Sequence, residues 1–109
     1  MVRLCELRQN GEPVGFELSG HAEQGEYGQD LVCAAISAIV QTAILGITEV
    51  VKVNAGFSVE ENDTSCVISK DASPKEAEAT ALLIRTMRKG LESIELAYPG
   101  TLKFDIREV

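Results

Sequence analysis

The stretch Val2-Arg3-Leu4-Cys5-Glu6-Leu7-Arg8-Gln9-Asn10-Gly11-Glu12-Pro13-Val14-Gly15-Phe16-Glu17-Leu18-Ser19 opens the chain with two strand-like runs around one turn dipeptide. Asn-Gly supplies the two left-handed residues of a tight turn, so residues 2–8 and 14–19 read as a β-hairpin. Phe16 and Leu18 alternate with Gly15, Glu17 and Ser19, which gives the second strand one inward face. A sheet with one polar face needs helices on one side only.

The same logic extends outward from the hairpin. A glycine-broken loop over 20–29 leads to Asp30, which reads as the N-cap of a helix running to about residue 51. Ala55, Phe57 and Val59 alternate as a third strand, Glu61-Asn62-Asp63 reads as a turn, and residues 64–70 as a fourth strand. Ser73-Pro74-Lys75-Glu76 starts a second helix with three agreeing signals: a Ser cap, a proline at the first helical position and a Glu three residues after the cap. Ile84, Met87, Leu91, Ile94 and Tyr98 form its expected inward face, and Pro99-Gly100 ends it. Leu102, Phe104 and Ile106 alternate in a last strand. The order ββαββαβ predicts an α+β two-layer sandwich, a mixed sheet with two helices packed on one face, over residues 1–109 as a single domain.

The chain has 109 residues, no tryptophan, and a formal net charge of −7. That charge argues against direct nucleic-acid binding, which draws its affinity from Lys and Arg. Three cysteines, an odd number, and an opening without a secretory pattern lead us to expect a cytoplasmic protein. The uncharged run 31–48 is long, but it carries Ser37, Gln41, Thr42, Gly46 and Thr48 and lacks flanking positive charge. It reads as a buried helix rather than a membrane span. Ile36, Ile39, Val40, Ala43, Ile44, Ile47, Val50 and Val51 make its apolar surface wider than one sheet contact needs, which points to a homodimer.

Chemistry concentrates between hairpin and helix, in Gly20-His21-Ala22 and Gly28-Gln29-Asp30-Leu31-Val32-Cys33-Ala34-Ala35-Ile36-Ser37. His21 is the only histidine. With Asp30 as cap, Cys33 is the third helical residue, where free N–H groups and the helix dipole favour a thiolate and can hold an oxyanion. An adjacent imidazolium would add to this. Each residue also has a plainer role. Cys33 can be a small core residue, His21 an exposed loop residue, Asp30 a cap only or an orienter of the imidazole, and Ser37 either bonded back to a carbonyl or lining the site. Spacing speaks against a metal or other cofactor. No two cysteines lie two to four apart as zinc or a redox pair requires, and the glycine loop lacks the Gly-Lys-Ser/Thr of a phosphate cradle.

The paired motif, Gly20-His21-Ala22 with Asp30-x-Val32-Cys33-Ala34-Ala35-x-Ser37, resembles the signature of the ribosomal-processing cysteine protease family, Prp. The resemblance implies a bacterial cytoplasmic endopeptidase, acting as a homodimer, that removes a short N-terminal extension from a ribosomal protein precursor, large-subunit protein number twenty-seven. It implies Cys33 as nucleophile and His21 as general base, matches Gly20, Asp30 and Ser37 as supporting positions, and implies a mobile loop over 22–29. The alternative is a non-catalytic dimeric module that binds ribosomal precursor or assembly proteins, with Cys33 packed and inert.

Overall fold

Asn10 and Gly11 both have positive φ, 55° and 81°, so β1 (Val2–Gln9) and β2 (Glu12–Ser19) are joined by the tight turn that the Asn-Gly pair specifies. A computed structural model describes residues 1–20 and 27–109, and residues 27–30 by their backbone alone. The remaining elements are α1 (Tyr27–Leu45), a π-helical turn (Gly46–Val51), β3 (Ala55–Glu60), β4 (Asp63–Ile68), α2 (Pro74–Ala97) and β5 (Leu102–Glu108). The sheet runs β3-β4-β2-β1-β5, antiparallel except for β1 beside β5. The connections from β2 to β3 and from β4 to β5 each pass through a helix, α1 and α2, and the hairpin-linked strand pairs are antiparallel.

Val2, Leu4, Phe16, Cys66 and Ile68 turn to the same side of the sheet and join Val32, Ile36, Val40, Ile47, Ile84, Met87 and Leu91 of the helices in one core. The opposite side of the sheet carries the ion pairs Arg3–Asp105 and Arg107–Glu17. The α+β sandwich with helices on one face is therefore the observed fold. Leu31–Val51, with a mean hydropathy of 2.1, is long and apolar enough to cross a membrane. In this fold it is the central core helix, with Val32, Ile36, Val40, Ala43, Ile44 and Ile47 all buried.

Three expectations need correction. The backbone is already helical at Tyr27, so Asp30 lies inside α1 and does not cap it. The first helix is not regular to residue 51, because its last six residues widen into a π turn closed by Lys52 at φ 62°, with the Val53 N–H donating to the Ile47 carbonyl at 3.2 Å. Tyr98 sits beyond the last helical turn and is exposed. Of the broad apolar face that led to the homodimer expectation, Ile36, Val40, Ala43, Ile44 and Ile47 are buried in this chain's own core, Ile39 and Val51 are partly buried, and Val50 is exposed. The loop expected over 22–29 falls outside the described residues up to residue 26, and its last three positions are helical.

Helix α2 begins as its sequence dictates. The Ser73 side chain accepts from the Glu76 N–H at 3.1 Å and the Glu76 carboxylate accepts from the Ser73 N–H at 2.8 Å. Its other end is tied to β5 by Glu95, whose carboxylate accepts from the N–H groups of Gly100, Thr101 and Leu102 at 2.8, 2.9 and 2.7 Å. Those backbone donors, Leu102 first, hold the Glu95 carboxyl below its ordinary value. A depressed carboxyl contributes stability above its unfolded pKa and loses it as pH falls through the folded one. Acid titration followed by circular dichroism should therefore show Glu95→Gln less stable than the parent at neutral pH. The gap should begin to narrow near the ordinary glutamate value of about 4.3 and close only below the depressed folded one. A gap that is constant with pH would contradict this role.

Candidate active site

Along α1, Val32, Ile36 and Val40 point into the core, and Cys33, Ser37 and Gln41 form the adjacent i, i+4 ridge. That ridge borders a cleft of about 530 Å³. The end of β2 closes one side through Leu18 and Gly20, and the β3–β4 turn closes the other through Val59, Glu60, Glu61, Asn62, Asp63 and Thr64. Cys33 is partly accessible, as a nucleophile must be. Cys66 is fully buried, and burial pushes its thiol up to about 11, so it is no nucleophile near neutral pH.

Gly20 is placed by backbone geometry that only glycine accepts readily. Its φ is +83°, and a Cβ there would lie 2.6 Å from the Met1 carbonyl oxygen. Its N–H donates to the Asn62 carbonyl at 3.0 Å, which pins the end of β2 to the β3–β4 turn. The chain leaves this clamp directly into His21, which itself lies outside the described residues. Gly20→Ala should destabilise by about 1–3 kcal/mol through its left-handed φ and the carbonyl contact. Urea denaturation checks it, and a variant as stable as the parent would contradict the clamp.

The structure thus brings Gly20, Cys33 and Ser37 to one cleft. Ser37 takes the lining position of its two expected ones. With α1 starting at Tyr27, the unpaired N–H groups of its first turn precede Asp30, and Cys33 lies about one turn further in. The dipole and amide support expected at the third helical residue is correspondingly weaker at Cys33. Sequence reading gave Glu61, Asn62 and Asp63 only a turn and missed that the turn forms a wall of the cleft. The cluster Glu60-Glu61-x-Asp63 was its one visible trace, and it sets an acidic rim without a lysine or arginine among the described lining residues. Among the described residues no group of acidic, histidine and cysteine side chains is arranged to hold a metal ion.

An accessible cysteine on a core helix, facing a cleft large enough for a peptide segment, is an arrangement that permits thiol chemistry on a bound chain. The sequence matches the family Cysteine protease Prp over residues 1–103. It is 34% identical over 96 residues to the ribosomal processing cysteine protease Prp of Bacillus subtilis (strain 168), covering 83% of this chain and 82% of that relative. It is 28% identical over 102 residues to the protein of the same name from Staphylococcus aureus (strain Mu50), covering 93% of each. The fold superimposes with a TM-score of 0.81, at 20% identity, on the crystal structure of an essential ribosomal processing protease Prp from S. aureus in complex with a substrate peptide. That match covers 98% of this chain and 100% of the other. The chain belongs to the Prp family of cysteine proteases.

Proposed function

We propose that this protein is a cytoplasmic endopeptidase that removes the N-terminal extension of large-subunit ribosomal protein number twenty-seven, working as a homodimer with Cys33 as nucleophile and His21 as its acid–base partner. The observation that carries the reading is the shared cleft: Cys33 lines it together with Gly20, the residue that delivers the chain into His21. Family membership supports the same chemistry, and two relatives are named for ribosomal processing.

In this mechanism the Cys33 thiolate attacks the scissile carbonyl carbon and forms a C–S bond, while the C–N bond breaks. The departing amine takes its proton from the His21 imidazolium. Water then attacks the thioester, His21 accepts its proton, and the C–S bond breaks to release the acid product and regenerate the Cys33 thiolate beside the His21 imidazolium. Ser37, one turn along the same ridge, and Gly20 shape the cleft, and Asp30 is carried as a further supporting position. The acidic rim of Glu60, Glu61 and Asp63 and the net charge of −7 favour a basic chain as substrate.

A peptide spanning the junction between extension and mature chain provides the test. The parent should cut it, with kcat/KM falling as salt is added, and Cys33→Ala should not cut it. The family resemblance implies aromatic residues just before the bond, and replacing them with alanine should abolish cutting. Cleavage retained by Cys33→Ala would refute the reading.

A further inference from the structure

The third strand ends at the cleft that Cys33 lines, with one long side unpaired among the described residues. β3 is the last strand of the sheet on the cleft side, paired with β4 alone. Its turn has two residues, Glu61 and Asn62, so the closing pair Glu60–Asp63 is a hydrogen-bonded pair. Alternation then makes Ser58–Ser65 hydrogen-bonded and leaves Val59 and Phe57 in non-bonded pairs, with their N–H and C=O groups directed away from β4. No backbone bond among the described residues reaches that edge. Natural edges are usually blunted by lysine, proline or a bulge. Here the strand reads Ala55-Gly56-Phe57-Ser58-Val59-Glu60 and has none of these.

Its side chains fit the same picture. Phe57 and Val59 stand opposite Cys66 and Thr64, two buried residues on the helix side of the sheet. Yet Phe57 is 55% and Val59 50% exposed, because the helix layer stops short of β3. Val59 lines the Cys33 cleft and Phe57 follows two residues along, so a nucleophile, an apolar floor and an open strand edge are continuous.

We infer that β3 is the docking strand for the peptide substrate. An extended segment of the substrate pairs with the free N–H and C=O groups of Phe57 and Val59. One of its apolar side chains seats on Phe57, about 7 Å along the strand from Val59. Phe57 is thereby a specificity-determining residue, and it acts on binding rather than on the bond-breaking step. This assignment rests on the endopeptidase reading above, and its occupant is the substrate peptide rather than a second copy of the chain.

Hydrogen exchange on the full-length Cys33→Ala protein, with and without the junction peptide at saturation, tests the edge directly. Exchange at the Phe57 and Val59 amides should slow about tenfold or more when the peptide is bound. In the active protein, Phe57→Ala should raise KM about tenfold with kcat held within about twofold, and Phe57→Leu should restore most of the loss. Unchanged exchange at both amides while fluorescence anisotropy shows the peptide bound would overturn the docking strand and leave Cys33 chemistry untouched. So would unaltered kinetics in Phe57→Ala, or protection of the edge that grows with protein concentration in the absence of peptide. A parent protein that fails to cut the junction peptide removes the underlying endopeptidase reading and this assignment with it.

Discussion

Glu6→Ala is expected to lower the free energy of unfolding by about 3 kcal/mol, near the lower end of what breaking a buried ion pair costs. Glu6 lies on the helix side of β1 and its side chain is 2% exposed. Its carboxylate accepts from Arg8 Nε and faces Arg88 Nη1 at 3.6 Å. Arg88 reaches it from α2, stacked over the Phe104 ring at 5.1 Å and bonded through Nε to Glu92 at 3.0 Å. That hydrogen bond, helped by the charge of Lys89, holds the Glu92 carboxyl below its usual range. Arg88 Nη1 is buried and has no hydrogen bond within the described residues, so the Glu6 charge is what compensates it. Removing the carboxylate strands that guanidinium edge, and the effect stays below the upper limit because Arg8 and Arg88 both keep some contact with water. Replacing both partners by apolar residues, Glu6→Leu with Arg88→Met, should recover much of the loss. Urea denaturation of the two single variants and the double variant decides it, and strictly additive losses would contradict a coupled pair.

The second large effect concerns His21. On the mechanism proposed here, His21→Ala should reduce kcat/KM for the junction peptide by about 10²–10⁴-fold, the range for losing a positioned acid–base group. Stability should change little. Initial-rate measurements with the junction peptide check this, with circular dichroism as the control for folding. Full activity in His21→Ala would remove the dyad.

Much of this architecture was legible because local signals agreed with one another. Asn10-Gly11 fixed a two-residue turn, and Ser73-Pro74-Lys75-Glu76 became the capping box it spells. The start of α1 was misread for a physical reason. An aspartate is favoured both at the cap and within the first turn of a helix, so Asp30 alone does not locate the end. Phe57 and Val59 alternate like an inward-facing strand, and by register they are one. Alternation carries no information on which strand lies at the edge, where the helix layer ends. Glu6 shares the register of Val2 and Leu4, and only the fold shows the arginines that make its burial tolerable. At the site, the Gly-His and Asp-x-Val-Cys motifs marked Gly20 and Cys33, and the structure sets both on one cleft. The acidic wall opposite was hidden because it comes from the β3–β4 turn, far along the chain from both motifs.

Selective thiol chemistry separates Cys33 from the buried Cys66 in the meantime. Iodoacetamide near neutral pH should label Cys33 well ahead of Cys66, which is shut in the core with its thiol pushed up to about 11. The most direct measurement goes further and looks for the covalent intermediate. The protein is mixed with the junction peptide, quenched in acid within the first turnover, and digested for mass mapping. The account predicts the acyl half of the peptide joined as a thioester to the fragment bearing Cys33, absent in Cys33→Ala. Cleaved product without an adduct on Cys33 at any quench time, or an adduct on Cys5 or Cys66 instead, would contradict it.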